Sequence, residues 1–370
     1  MGPAHYKQLS KRAALVGALV VACTWLAPAG AQADPPVTSE FRDLYRNSAV
    51  LGMGGADVAT AEGEVALWAN PAGLGAKKFS INYMNAFFET SRDTGLTGLQ
   101  YATGSQQING NTINGLMGKD IYERVQIAPS IQMGNFGFGV MVDQELALQA
   151  KNEALPQIVF GSQETNGIQL AYGTSVTPGK NGKSELRIGI AGKLMYRRGG
   201  YTLEDLSTLF SLSEDELKSQ LGSYQRGYGA DAGLQYIYKL NSRIQFTSGL
   251  AWTDIGNTAF GTADDQPQDL SLGVAAKMAF GLSKFVLEYD LHYLATPGDL
   301  RNKSHLGLSF GVPLLSVYAG YNQISYTLGT AVDLWLFRFT ASTYAEEIGY
   351  IAGEDSERRY TLQVALKVGL

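Results

Sequence analysis

The strongest constraint on this chain is a period-two alternation of apolar and polar residues, repeated in segment after segment from Phe79 to the C-terminus. Successive side chains of a strand point to opposite faces, so the pattern describes strands with one apolar and one polar side. Tyr360, Leu362, Val364, Leu366, Val368 and Leu370 alternate with Thr361, Gln363, Ala365, Lys367 and Gly369. Phe285, Leu287, Tyr289, Leu291 and Tyr293 alternate with Val286, Glu288, Asp290 and His292. The segments run about 10 to 12 residues, twice an ordinary globular strand, and tilted by about 40° they match the ~25 Å height of an outer-membrane apolar band.

A soluble two-sided sheet would look the same locally. The aromatics at strand ends on the apolar face (Tyr236, Tyr238, Trp252, Phe280, Phe285, Tyr293 and Tyr360) favour lipid, because they form the interfacial girdle of a membrane barrel. The other face carries charges, and its expected lumenal set is Asp143, Arg187, Lys193, Asp231, Lys277, Glu288, Asp290, His292, Arg338 and Lys367. Short connections alternate with long ones at 91–123, 151–167, 197–226, 256–268, 295–302 and 347–358, as periplasmic turns and external loops do. The fold class is therefore all-β, a transmembrane antiparallel β-barrel of about 14 strands, and residues 79–370 are its barrel. One of the strands spans 122–133, and the strand-like stretch 95–102 is placed in the first outer loop. The 197–226 loop holds two helical patterns, 202–210 and 213–221.

Residues 1–33 read as a signal peptide: Lys7, Lys11 and Arg12, then an apolar run, then Ala31-Gln32-Ala33. The single cysteine, Cys23, lies inside it. Beyond it no stretch approaches the roughly 18 apolar residues of a spanning helix. A net charge of −5 argues against nucleic acid, whose phosphates need neutralising cations.

Residues 34–78 precede the first strand and lack its alternation. They include a short helical stretch at 41–50, the glycine-rich Leu51-Gly52-Met53-Gly54-Gly55, a helical turn at 65–69, and Trp68-Ala69-Asn70-Pro71-Ala72-Gly73-Leu74. Glycines permit close backbone approach, and Pro71 pushes Asn70 out of the helical region. Together these motifs resemble the N-terminal signature of the FadL/PorV-type outer-membrane barrels. The resemblance implies a hatch segment inside the lumen of a fourteen-stranded barrel, with Gly52, Met53, Gly54, Gly55, Trp68, Asn70, Pro71, Ala72, Gly73 and Leu74 as its gating residues. It also implies passive uptake of hydrophobic small molecules, of long-chain fatty acid or hydrocarbon type. PorV-type members instead serve protein secretion, so a secretion-accessory or partner-binding barrel is the alternative. Ligand-contacting residues do not carry over, and Leu370 stands where barrels usually end in an aromatic.

Pro129 falls within an expected strand, where a proline removes a ladder hydrogen bond, so it marks either a wall bulge or a lateral opening. Nothing reads as catalytic. Gly182-Lys183-Ser184 lacks the first glycine of a phosphate loop, because Thr177 stands there. The carboxylates beside His292 are expected to pair with lumenal Arg and Lys, so neither a metal nor a cofactor is expected. The expected partners are outer-membrane lipid, a hydrophobic ligand, and the barrel-assembly machinery during biogenesis, with the barrel acting as a monomer in the bacterial outer membrane.

Overall fold

The structure is a computed structural model that describes residues 41–92, 120–151, 157–176, 182–205, 222–349 and 352–369. The expected signal peptide 1–33, the leader 34–40 and the stretch 95–102 lie outside them.

Alternation becomes a sheet. Its strands are β1 (Lys78–Ser91), β2 (Asp120–Ile127), β3 (Ser130–Gly134), β4 (Phe136–Lys151), β5 (Gln157–Val176) and β6 (Ser184–Asp205). They continue with β7 (Gln225–Lys239), β8 (Ile244–Thr253), the small pair β9 (Thr258–Phe260) and β10 (Ala263–Gln266), and β11 (Asp269–Phe280). The last are β12 (Ser283–Leu291), β13 (Ser304–Val312), β14 (Leu315–Asn322), β15 (Ser325–Leu334), β16 (Phe337–Glu347) and β17 (Ser356–Gly369). All but β9 and β10 form one antiparallel ring of sequential neighbours, with β17 paired to β1 from Ser80↔Gly369 to Ser91↔Arg359. β2 and β3 share one place in the ring, so it is a closed barrel of fourteen places plus one extra strand. Closure removes every edge, the condition a sheet must meet in lipid.

Outward positions are apolar: Leu170 is 61 % exposed, Ile190 64 % and Tyr228 69 %. Water would not tolerate so continuous an apolar face, and a bilayer requires it. Among the described residues no helix is long and apolar enough to cross a membrane, and the strands do the crossing. The chain is a bacterial outer-membrane barrel.

Several expectations need correction. The strand at 122–133 is broken at Ala128-Pro129 into β2 and β3. The loop expected at 151–167 is mostly strand, since β5 begins at Gln157. The expected helix at 202–210 begins instead as the end of β6, which pairs with β5 through Gln157↔Asp205, and the rest of that loop to 221 lies outside the described residues. Inter-strand bonding there overrides local helical preference. The expected loop 256–268 folds into the β9–β10 hairpin. Tyr293 is not part of the girdle: β12 ends at Leu291, Tyr293 takes φ 54°, and its ring turns inward. The alternation rule holds only while the strand lasts.

Residues 41–76 run inside the ring. Their helices are short: α1 (Ser48–Gly52), capped by the Asn47 side chain, and α2 (Glu64–Trp68), followed by a 3-10 turn (Pro71–Ala76). The helix expected over 41–50 therefore starts late. Its would-be carbonyls at Asp43 and Leu44 accept hydrogen bonds from Arg124 and Gln126 of the wall, so they are not free for helical amides.

Candidate functional site: the filled lumen

The close approach of segment and wall is made possible by glycines on both. On the wall, inward-facing Gly173, Gly189 and Gly233 lie side by side on β5, β6 and β7. A Cβ on Gly189 would overlap the Pro71 backbone, and one on Gly233 would overlap the Asn70 side chain. Gly273 faces Ala59, while Gly307 and Gly320 face Met53. This glycine band on the inner wall seats residues 52–75.

Within the segment, Asn70 is fully buried. Its Nδ2 donates to the Val58 carbonyl at 2.8 Å and its Oδ1 accepts from the Ala72 amide at 3.2 Å. It thus fixes the turn that Pro71 begins. Ala72 and Leu74 are sealed from solvent, and Gly73 abuts the Ala61 carbonyl. Gly54 and Gly55 both have positive φ, 71° and 82°, where a side chain would be strained. The Gly52 carbonyl accepts from Thr327 at 2.8 Å, and Met53 packs on Tyr318 and Ala331. Trp68 stacks on Tyr45 with ring centroids 5.7 Å apart.

The lumenal charges are partnered in groups. Asp143 holds Arg124 at 2.8 Å, and Glu145 lies 3.7 Å from the same guanidinium. Lys193 bridges Asp231 at 2.9 Å and Asp254 at 2.8 Å. Arg187 pairs with Glu185 at 2.7 Å and Glu62 at 3.3 Å, and Lys277 stands 3.7 Å from Glu62. Arg338 donates to the Tyr318 hydroxyl at 2.5 Å and lies 3.5 Å from Asp333, while Lys367 is half-buried near the short-turn end. Burial alone would raise the Glu62 carboxyl, but Lys277, Lys78 and Arg187 outweigh it and hold it down at about 2. Burial likewise acts to raise the Asp43 carboxyl, and Arg46 and Arg42 overcome it and lower it.

Glu288 and Asp290 depart from the expected pairing with Arg and Lys. Glu288 accepts from the Ala59 and Thr60 amides at 2.7 and 3.0 Å, and Asp290 from those of Asp57 and Val58 at 2.7 and 2.8 Å. The turn from Asp57 presents unpaired amides, which carboxylates satisfy better than cations can. His292 lies just beyond β12, its Nδ1 2.9 Å from Asp269.

Alternation places Glu89, Arg124, Tyr344 and Arg359 inward, yet it does not say that they meet. Arg46 of the segment lies 3.3 Å from Glu89 on β1, which is also 3.4 Å from Arg359 on β17. The Tyr344 hydroxyl joins Arg46 and Glu89. These partners are close in space and lie from 43 to 298 residues apart in sequence, so no local signal marks the pairing.

At Pro129 the ladder is thinned but bridged. Ala128 donates to the Asn85 carbonyl at 2.9 Å, and the Pro129 carbonyl accepts from Val140 at 3.0 Å. The extra residue lies in the neighbouring strand: β1 shifts register between Asn82 and Met84, leaving Tyr83 and Met84 both facing outward. Inside, Ala128 joins an apolar cluster with Leu44, Leu67, Trp68, Leu74, Met141, Met195 and Phe260. Gly139, paired with Ser130, leaves the room that Leu67 and Trp68 occupy.

No protein-family model matches the chain, and no curated protein matches it. Among solved structures it is similar to the toluene transporter TbuX of Ralstonia pickettii, at 14 % identity and a TM-score of 0.47 over 87 % of this chain and 97 % of that one. It is also similar to the monoaromatic hydrocarbon channel CymD, at 12 % identity and a TM-score of 0.45 over 87 % and 97 %. A third is the Pseudomonas putida toluene transporter TodX, at 12 % identity and a TM-score of 0.43 over 88 % and 98 %. By its own closed ring and outward apolar face, the molecule is an outer-membrane β-barrel whose lumen is filled by its N-terminal segment.

Proposed function

We propose that the barrel is a passive channel for hydrophobic small molecules of fatty-acid or hydrocarbon type, with residues 41–76 as its hatch. The observation that carries this reading is the apolar cluster of Leu44, Leu67, Trp68, Leu74 and Met141 within an otherwise charged lumen, in contact with the wall at Ala128. Apolar surface inside a polar lumen gives an apolar solute a place to rest. It adjoins the stretch where the ladder lacks the donor that Pro129 cannot supply. A solute held there has a short path into the bilayer.

The whole segment need not leave for this to happen. The buried ion pairs of Arg46 with Glu89 and Glu346 would have to break, and removing one partner of such a pair typically costs about 3–5 kcal/mol. A local shift of the Tyr45–Trp68 stack away from Gly139 opens the apolar cluster and leaves those pairs intact.

Uptake of labelled long-chain fatty acid and of labelled toluene, compared between cells lacking the protein and cells complemented with it, tests the reading. Uptake that depends on the protein supports it, and equal uptake of both solutes in the two strains sinks it. Purification that yields a stoichiometric protein partner instead of uptake would point to a partner-binding barrel.

A further inference from the structure

Where the segment meets the end of β12, Asp57, Asp290 and His292 bring one ligand atom each within 4.8 Å of one another. The Asp290 side chain is fully buried, and its Oδ1 has no hydrogen-bond partner. His292 Nδ1 lies 2.9 Å from Asp269 and 3.0 Å from the Ser271 hydroxyl, which assigns the ring proton to Nδ1 as a donor to the carboxylate. The other nitrogen, Nε2, is then the one that can bind a cation, which would take the place of any proton there. It too is buried without a partner, 3.8 Å from Asp290 Oδ2. Three potential ligand atoms thus converge with no described Arg or Lys side chain between them; the Asp290 oxygen nearest Nε2 is Oδ2, which also accepts the Asp57 and Val58 amides. Glu288 and Asp269 add further negative charge nearby, and Asp290 has no Arg or Lys partner among the described residues.

We propose that Asp57, Asp290 and His292 form a divalent transition-metal site that fastens the N-terminal segment to the barrel wall. One imidazole and two carboxylates suit Zn²⁺ or a neighbouring ion, whereas Ca²⁺ requires about 6–8 oxygens. With metal–ligand bonds of about 2.0–2.2 Å, tetrahedral ligands stand roughly 3.3–3.5 Å apart. The 3.8 Å separation of His292 Nε2 and Asp290 Oδ2 therefore closes with movements of a few tenths of an ångström, and the Asp57 oxygen, within 4.8 Å of both, swings in by up to about an ångström more. Asp269 supplies the carboxylate that orients a metal-binding histidine through its second nitrogen. A cavity of about 130 Å³, lined by Asp57, Asp269, His292 and His305, adjoins the cluster and gives an ion a way in and a place for its remaining water ligand. Asp57 comes from the segment and the other two ligands from the wall, so the ion would be a staple between them. The inference is independent of what the barrel transports.

The test uses the purified, folded full-length barrel, stripped with chelator and titrated with Zn²⁺, with bound metal counted by mass spectrometry and Co²⁺ substituted to read the ligand field. The expected result is one Zn²⁺ per chain, not displaced by Ca²⁺, and a higher unfolding temperature in its presence. Asp57→Asn and His292→Gln should each weaken binding at least tenfold, and Asp269→Asn by about 10–100-fold with an altered Co²⁺ spectrum. Asp333→Asn should change nothing. Asp57→Asn keeps the backbone amide that bonds Asp290 and lies outside the strands, so it tests the site even if His292→Gln does not fold. Absence of stoichiometric Zn²⁺, or Zn²⁺ held equally well by Asp57→Asn and wild type, overturns the proposal.

Discussion

Arg46 of the N-terminal segment and Glu89 of β1 face each other at 3.3 Å, both shut off from solvent, and Arg359 of β17 approaches the same carboxylate at 3.4 Å. One anion therefore joins the segment to both sides of the seam where the ring closes. Glu89→Ala would leave two buried guanidinium groups without that partner. The expected cost is about 3–5 kcal/mol. It should appear as a clearly lower temperature at which the folded band converts to the unfolded one on a gel. Glu89→Gln, which keeps an acceptor oxygen, should lose less.

The glycine band predicts an overpacking effect at Gly189. A Val there would displace the Pro71 backbone, because no rotamer of the new side chain avoids it. The wall should still assemble, since Gly189 is paired in β6 by its backbone. Planar-bilayer recordings should then show a conductance that wild type lacks. A silent Gly189→Val barrel would mean that the segment can be pushed aside without opening a passage.

At Pro129, substitution by Val restores a backbone donor to the break between β2 and β3. Under the transport reading, uptake of hydrophobic solute should fall severalfold while stability rises or holds. Unchanged uptake would remove the wall at Pro129 from the route.

Glu62 provides a pH signature. Its carboxyl is held at about 2, below its ordinary value of 4.5, because Lys277, Lys78 and Arg187 outweigh the effect of burial. A lowered acid stabilises the folded state fully above its unfolded value and loses that contribution as pH falls through the folded one. Stability should therefore decline from about pH 4.5 toward pH 2. Glu62→Gln should flatten that part of the profile, measured as unfolding temperature against pH.

Face assignment is tested at Leu362, which is half-exposed on the outer side of β17. Leu362→Arg should cost about 2–4 kcal/mol if it lies near the bilayer midplane, and close to nothing near an interface. The unfolding midpoint in denaturant measures it. A neutral effect, with Leu362 shown by lipid-phase quenching to lie deep, would reverse the assignment.

The wall was legible because a barrel strand carries its own two faces in its alternation. It stopped being legible where strands end or break. Tyr293 continued the count past Leu291 into a left-handed turn. Thr202 to Asp205 had helical chemistry, yet pairing with β5 made them strand. The 256–268 stretch has no alternation, so its hairpin was hidden. The lumen was legible on one side only. Asn70, Pro71 and the segment's glycines stood out, whereas Gly173, Gly189 and Gly233 looked like ordinary strand glycines until register aligned them. Glu288 and Asp290 were visible as inward carboxylates, but their partners are main-chain amides, which leave no trace in composition.

The seam has a consequence for assembly. The ring is completed by the last strand pairing with the first, and residues 41–76 precede that first strand while lying within the ring. Ser48 is bonded to Gln363 of β17, and Arg46 lies between Glu89 and Glu346. Seating of the segment and closure of the seam therefore share these bonds, and each should favour the other.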